Sequence, residues 1–144
     1  MPEESTTPDL EEITRKNFEA LNRGDVDVAI CVFRPDAVWD ASAVATVEGG
    51  TEHKGLAAIR KLLEEWIGSF EDFEVVREEF RDLGNGVTLT VNLQKGRPLG
   101  SIGSVQLRIA GIGTWVGGLM ERYTTYTDID QARAAAERLA QERG

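Results

Sequence analysis

Asp40 and His53 are the side chains best suited to moving a proton. Asp40 follows Trp39 at the end of a short β-prone run, Ala37 to Asp40. A carboxylate held among apolar groups has a raised pKa and can shuttle a proton beside a carbonyl. His53 is the only histidine, and an Asp40–His53 pair would be a workable acid/base couple near neutral pH. Each has a plainer alternative: a strand-end aspartate bonded to backbone in the following loop, and a solvated loop histidine. Asn17 shares a helical stripe with Leu10, Ile13 and Leu21, so it faces inward and can donate a hydrogen bond to a ligand oxygen. Trp66, Trp115, Tyr123 and Tyr126 supply the bulk. Rings at such positions are usually core, and rings that line a cavity also suit a flat lipophilic ligand.

Other chemistries lack their residues. One histidine without a ligand-spaced cluster cannot build a zinc site, so neither a metal nor a cofactor is expected. Gly111 and Gly113 suggest a bulge or tight bend; as a dinucleotide loop they fail, because Val116 stands where a third glycine is needed and no helix follows. There is no Ser-His-Asp order, Cys-His pair or phosphate loop. Arg77, Arg81 and Arg108 sit among acidic neighbours and read as cross-strand ion pairs. Cys31, the single cysteine, lies in an apolar helical pattern and is expected to be a buried, inert thiol.

The elements that must position these groups follow from periodicity. Residues 1–6 are polar and expected to fray, leaving one domain over 7–144. Thr7 and Pro8 read as the cap and first residue of a helix that Gly24 stops. Asp25 caps a shorter helix burying Val26, Ala29, Ile30 and Phe33, which Pro35 ends. Ala37 to Asp40 is a short strand, and 41–53 is irregular with a turn at Gly49-Gly50. Lys54 to Gly68 carries Leu56, Ile59, Leu62, Leu63, Trp66 and Ile67 at a 3.6-residue period.

The period then changes. Phe73 to Leu83 reads as a strand, and Gly84-Asn85-Gly86 as a hairpin turn. Val87, Leu89, Val91 and Leu93 alternate with Thr88, Thr90, Asn92 and Gln94, as in a half-buried strand. A third strand runs from Val105 to Trp115 and a fourth from Leu119 to Thr127. Asp128 and Gln131 form a capping box for a final helix, Gln131 to Gln141. Helices segregated from an antiparallel meander define an α+β domain, with the first three helices as the available cover for the sheet.

Size and charge limit the partners. The 144 residues suit one domain. A formal net charge of −9 repels phosphate backbones, so nucleic acid and anionic membrane surfaces are not expected partners. The N-terminus has no apolar signal region, and no apolar run approaches a membrane span. The expected setting is soluble and cytoplasmic.

The element order resembles the superfamily of nuclear transport factor two and ketosteroid isomerase, and within it the SnoaL-like branch named for a polyketide cyclase. The segments that carry the likeness are Ala20-Leu21-Asn22-Arg23-Gly24-Asp25, Pro35-Asp36-Ala37-Val38-Trp39-Asp40, Lys54-Gly55-Leu56-Ala57-Ala58-Ile59 and Arg122-Tyr123-Thr124-Thr125-Tyr126-Thr127-Asp128. The resemblance implies a cone: a strongly bent sheet and helices around a pocket for a small, mostly apolar organic ligand, often in a homodimer formed through the outer sheet face. It implies that Asp40 stands where ketosteroid isomerases carry their general base, with His53 at the pocket mouth beside it. It also implies departures. Asn17 lies near the place of an oxyanion-binding tyrosine. Gly111 falls where a second donor, an aspartic acid, would be. Thr125 falls where the cyclase and epoxide-hydrolase patterns carry an aspartate. The expectation is therefore a ligand-binding domain that acts on a carbonyl compound through Asp40 and His53, with Asn17, Trp66, Trp115, Tyr123 and Thr125 on the ligand, or a non-catalytic binding or interaction module.

Overall fold

Why the chain turns where it does is clearest at its caps. The computed structural model describes residues 9–43 and 52–144; the expected tail 1–6 and the turn at Gly49-Gly50 lie outside them. α1 (Leu10–Arg23) begins at Asp9, whose carboxylate accepts the backbone N–H of Glu12. The cap is thus Asp9; the expected cap and first helical residue, Thr7 and Pro8, lie outside the described residues. Gly24 ends the helix at φ 73°, a left-handed conformation that glycine adopts without penalty. α2 (Val26–Ala29) is capped by Asp25 and runs into a 3₁₀ turn, Ile30–Val32. The helical segment ends there, before Pro35, which lies inside β1 (Phe33–Ala43).

β2 (Glu52–Lys54) is a short edge strand that alternation could not reveal in three residues. α3 (Leu56–Gly68) follows, then β3 (Phe70–Gly84), β4 (Val87–Pro98), β5 (Val105–Val116), β6 (Leu119–Tyr126) and α4 (Ile129–Arg143). Asp128 caps α4 by accepting the Gln131 N–H at 3.0 Å. The four long strands form the expected meander. They join β1 and β2 in one sheet of order β2-β1-β6-β5-β4-β3, in which β1 and β6 run parallel and every other pair antiparallel. Helices and one mixed sheet make the fold α+β.

The two faces of the sheet pack differently. On the cone side, Ala20, Ala29, Ile59 and Leu63 of the first three helices meet Phe33, Ala37, Trp115 and Met120. On the outer side, Ala132, Ala136 and Ala140 of α4 lie on Val87, Leu89, Val91, Ala110 and Ile112. The first three helices thus cover one face of the sheet, as expected, and the Val87-Leu89-Val91 row on the other face is covered by α4. Alanines four residues apart form one smooth stripe that approaches the sheet closely. Burying each Val, Leu or Ile of that row is worth ~1.5–3 kcal/mol, so the face cannot remain in water. The consequence for function is an inversion: Thr88, Thr90 and Asn92, at 2%, 3% and 2% exposure, are buried on the cone side.

Candidate functional site

Strand register decides which side chains meet. Trp39 pairs with His53 on β2 and with Tyr123 on β6, whereas Asp40 pairs with Glu52 and Thr124. Paired residues share a face and successive residues alternate. Trp39, His53 and Tyr123 therefore belong to the cone side, and the Trp39 and Tyr123 rings meet edge to face at 4.8 Å. Asp40 belongs to the outer side. Its Oδ2 accepts a 2.6 Å hydrogen bond from Arg122, which also donates to Glu52 at 3.0 Å. Burial works against the Arg122 charge, but the bonds to Glu52 and Asp40 outweigh it and raise the guanidinium pKa. The expected Asp40–His53 couple is thus corrected: a one-residue step along two paired strands places the two groups on opposite faces of the sheet.

Other expected residues have structural partners. The Asn17 amide donates to the Ala29 carbonyl at 2.7 Å and ties α1 to α2. Trp115 is 5% exposed, and its indole N–H donates to Thr88 Oγ1 at 2.9 Å. Thr125 is buried on β6 opposite Gly111. Tyr126 joins the outer cluster with α4, not the cone side. Cys31 is exposed rather than buried, with its thiol 3.3 Å from the Asp27 carbonyl; its position is on the solvent side of the short helical segment.

What the cone side does bring together is a polar row on β4. Thr90 Oγ1 lies 3.5 Å from the Tyr123 hydroxyl and 3.5 Å from the Gly111 carbonyl, the outer limit of hydrogen bonding. Burial pushes the Tyr123 pKa up, and its contact with Thr90 opposes this only in part. Further along, Trp66 Nε1 donates to Gln94 Oε1 at 2.7 Å, and Gln94 Nε2 donates to Asn92 Oδ1 at 3.0 Å. An indole N–H is only a donor, so the chain has one direction, and it leaves Asn92 Nδ2 pointing away from Gln94 as a donor. Among the described residues that Nδ2 group has no hydrogen-bond partner, and Asn92 is 2% exposed. A buried donor left in that condition costs about 1–3 kcal/mol.

Asn92 is the functional candidate that sequence reasoning missed; Tyr123 is already expected on the ligand. The available signal was the polar half of the β4 alternation. Had α4 been assigned to the apolar half, the Thr-Thr-Asn-Gln half would have had to face the cone. Arg77 pairs with Asn92 across β3 and β4, and its guanidinium reaches the Glu11 carbonyl at 3.1 Å, which fixes it against α1.

Two depressions bear on access. A cleft of about 70 Å³ is lined by Trp66, Phe70, Phe73, Gln94 and Leu107, so it borders the Gln94 end of the chain that reaches Asn92. Its walls are mostly rings and aliphatic groups. A larger groove of about 530 Å³ lies on the outer face between β1, β6 and α4. Its charges answer one another: Arg34 faces Asp36 at 3.5 Å, Arg143 faces Glu121 at 3.1 Å, and Arg122 faces Asp40. The smaller cleft is the one lined by Gln94, the hydrogen-bond partner of Asn92. Among the described residues no three His, Cys, Asp or Glu side chains gather to hold a metal ion, and no helix is long and apolar enough to cross a membrane.

The chain belongs to the SnoaL-like domain family, whose model matches residues 14–123. That match covers the helices and sheet of the cone and ends before α4. No curated relative matches by sequence. Solved structures align over almost their whole length. A nuclear-transport-factor-two-like protein of unknown function from Burkholderia pseudomallei aligns with TM-score 0.73 and 13% identity, over 90% of this chain and 98% of its own. TerC, co-crystallised with polyporic acid, aligns with TM-score 0.71 and 15% identity, over 89% and 98%. SalBIII, an epoxide hydrolase/cyclase-like enzyme of pyran ring formation in salinomycin, aligns with TM-score 0.68 and 14% identity, over 84% and 92%. At these identities the likeness concerns the fold, a ketosteroid-isomerase-like cone.

Proposed function

We propose that this domain binds a flat, mostly apolar organic molecule carrying a hydrogen-bond acceptor such as a carbonyl. Asn92 Nδ2 and the Tyr123 hydroxyl would hold the acceptor, and Trp66, Phe70 and Leu107 would contact the apolar body as it enters. The observation that carries the reading is the buried, unmatched Asn92 donor on the cone side. Natural proteins seldom retain such a group without a partner. Polyporic acid, co-crystallised with TerC, and the pyran ring formation in polyether salinomycin in which SalBIII acts both agree with an organic ligand.

Two donors on one acceptor would polarise a carbonyl, which is the electrophilic half of enolisation or cyclisation. Among the described residues of β4, β5 and β6 the cone side presents no carboxylate for the basic half: Thr88, Thr90, Asn92, Gln94, Leu107, Ile109, Tyr123 and Thr125 face it. Asp40 is engaged by Arg122 on the other face. Binding is therefore the activity this geometry supports best, with His53 as the group to which a proton role would fall. A homodimer, if formed, uses a surface other than the β4–β5 outer face, where α4 lies.

The test compares 1-indanone with indane, which has the same skeleton without the carbonyl. Wild type should bind the ketone about tenfold more tightly, and Asn92→Leu should lose most of that preference, keeping only what the Tyr123 hydroxyl supplies. Equal binding of the two probes by wild type removes the reading.

A further inference from the structure

Trp66 lies on the wall of the small cleft and is 37% exposed, and its indole N–H is committed to Gln94 Oε1 of the half-buried neighbouring strand at 2.7 Å. The ring packs edge to face on Phe70 at 5.0 Å. A tryptophan needed only for its bulk at a rim could leave its N–H in water. The consequence of the bond lies two residues away. An amide side chain has an oxygen face and a nitrogen face of nearly equal shape, so Asn92 and Gln94 can pair in either of two senses. In one, Gln94 donates and Asn92 turns its NH₂ to the cone. In the other, Asn92 donates and turns its carbonyl to the cone. Nothing in the Asn92–Gln94 pair itself separates these states. The Trp66 N–H does, because it can only donate and therefore demands the Gln94 oxygen.

We infer that Trp66 is a specificity-determining positioning residue: through Gln94 it sets Asn92 to present N–H rather than C=O to the ligand. The inference rests on the proposed use of Asn92 as a ligand donor, and it adds that acceptor-bearing ligands are selected over donor-bearing ones of the same shape. The discrimination comes from leaving like groups face to face: a ligand N–H set against Asn92 N–H leaves two buried donors unmatched.

The experiment uses the full chain, with 1-indanone as the acceptor probe and indole as the donor probe, and side-chain amide NMR as a readout that needs no ligand. In wild type the Gln94 NH₂ resonances carry the downfield shift of a donated hydrogen bond, the Asn92 NH₂ resonances do not, and 1-indanone binds about tenfold more tightly than indole. Trp66→Phe keeps the ring on Phe70 and removes the N–H. It should let the downfield shift spread to Asn92 and bring the two affinities to within about twofold. Gln94→Glu tests the same point without touching Trp66: a carboxylate can only accept, so it draws the Asn92 NH₂ toward itself and should reverse the preference toward indole. Retention of both the amide pattern and the ketone preference in Trp66→Phe overturns the inference while leaving the site intact. A wild type that does not separate 1-indanone from indane removes the binding site instead, and the amide pattern of the variants still decides whether Trp66 sets Asn92.

Discussion

The Tyr123 ring lies across the Cα of Gly111, so that a Cβ placed there would collide with Oη, Cζ and Cε1 of the tyrosine. Gly111 is extended and its backbone conformation needs no glycine; the tyrosine above it does. The absence of a side chain at Gly111 is what lets a neighbouring strand deliver the Tyr123 hydroxyl over this spot. Gly111→Ala should destabilise the fold by about 1–3 kcal/mol through overpacking. In a double-mutant cycle with Tyr123→Ala, measured by urea denaturation, the two changes should be coupled by more than about 0.5 kcal/mol. Additive effects would mean that the ring does not rest on Gly111.

Tyr123 also gives the protein an alkaline signature. Its folded pKa lies above the ordinary tyrosine value because burial disfavours the phenolate. A free tyrosine titrates near pH ~10. Above that pH the unfolded chain loses the proton first, so the native state binds more protons and stability falls with rising pH. The contribution is complete below about pH 10 and disappears as pH climbs through the folded pKa. Melting curves between about pH 9 and 11 should therefore fall less steeply for Tyr123→Phe than for wild type. Parallel slopes would place the Tyr123 hydroxyl in water.

Much of this was legible before the structure. The meander, the Gly84-Asn85-Gly86 turn and the Asp128 cap follow from local chemistry, and each stands where periodicity put it. What failed was assignment between faces. The alternation Val87-Leu89-Val91 says that one face is apolar but not which helix covers it. The α4 stripe is made of alanines, whose weak hydrophobicity hides an amphipathic helix among arginines and glutamates. The face of Asp40 failed for a similar reason. A strand end has two faces, and only its register against β2 and β6 selects one. Asn22 shows a role no spacing reveals: its amide bonds both the N–H and the carbonyl of Val75, 2.7 and 2.8 Å away, and pins α1 to β3.

Asp40 is expected to matter for stability and not for the ligand. Its carboxylate is 14% exposed and Arg122 is 41% exposed, so water screens the pair in part. Asp40→Asn leaves Arg122 with Glu52 and should cost about 1 kcal/mol in denaturant titrations. The affinity for 1-indanone should stay within about twofold, since the change lies across the sheet from Asn92. A loss of binding with stability unchanged would return Asp40 to the cone.

The outer face supplies the last test, because α4 is what separates it from water and from other copies of the chain. Ala136 is fully buried against β4 and β5, and Arg133 holds the start of the helix through two bonds to Glu79 at 2.6 and 2.7 Å. Ala136→Asp places a carboxylate in the fully buried alanine stripe, and should destabilise the protein by at least about 3 kcal/mol or release the helix from the sheet. Ala134→Asp, on the exposed side of the same helix, should change stability by less than about 0.5 kcal/mol. Release of α4 uncovers a flat row of Val87, Leu89, Val91, Ala110 and Ile112, which is the surface a second sheet would pack on. Sedimentation velocity should then find the Ala136→Asp protein self-associating at concentrations where Ala134→Asp sediments as wild type does. If Ala136→Asp keeps both its stability and its sedimentation, α4 is not the cover of this face.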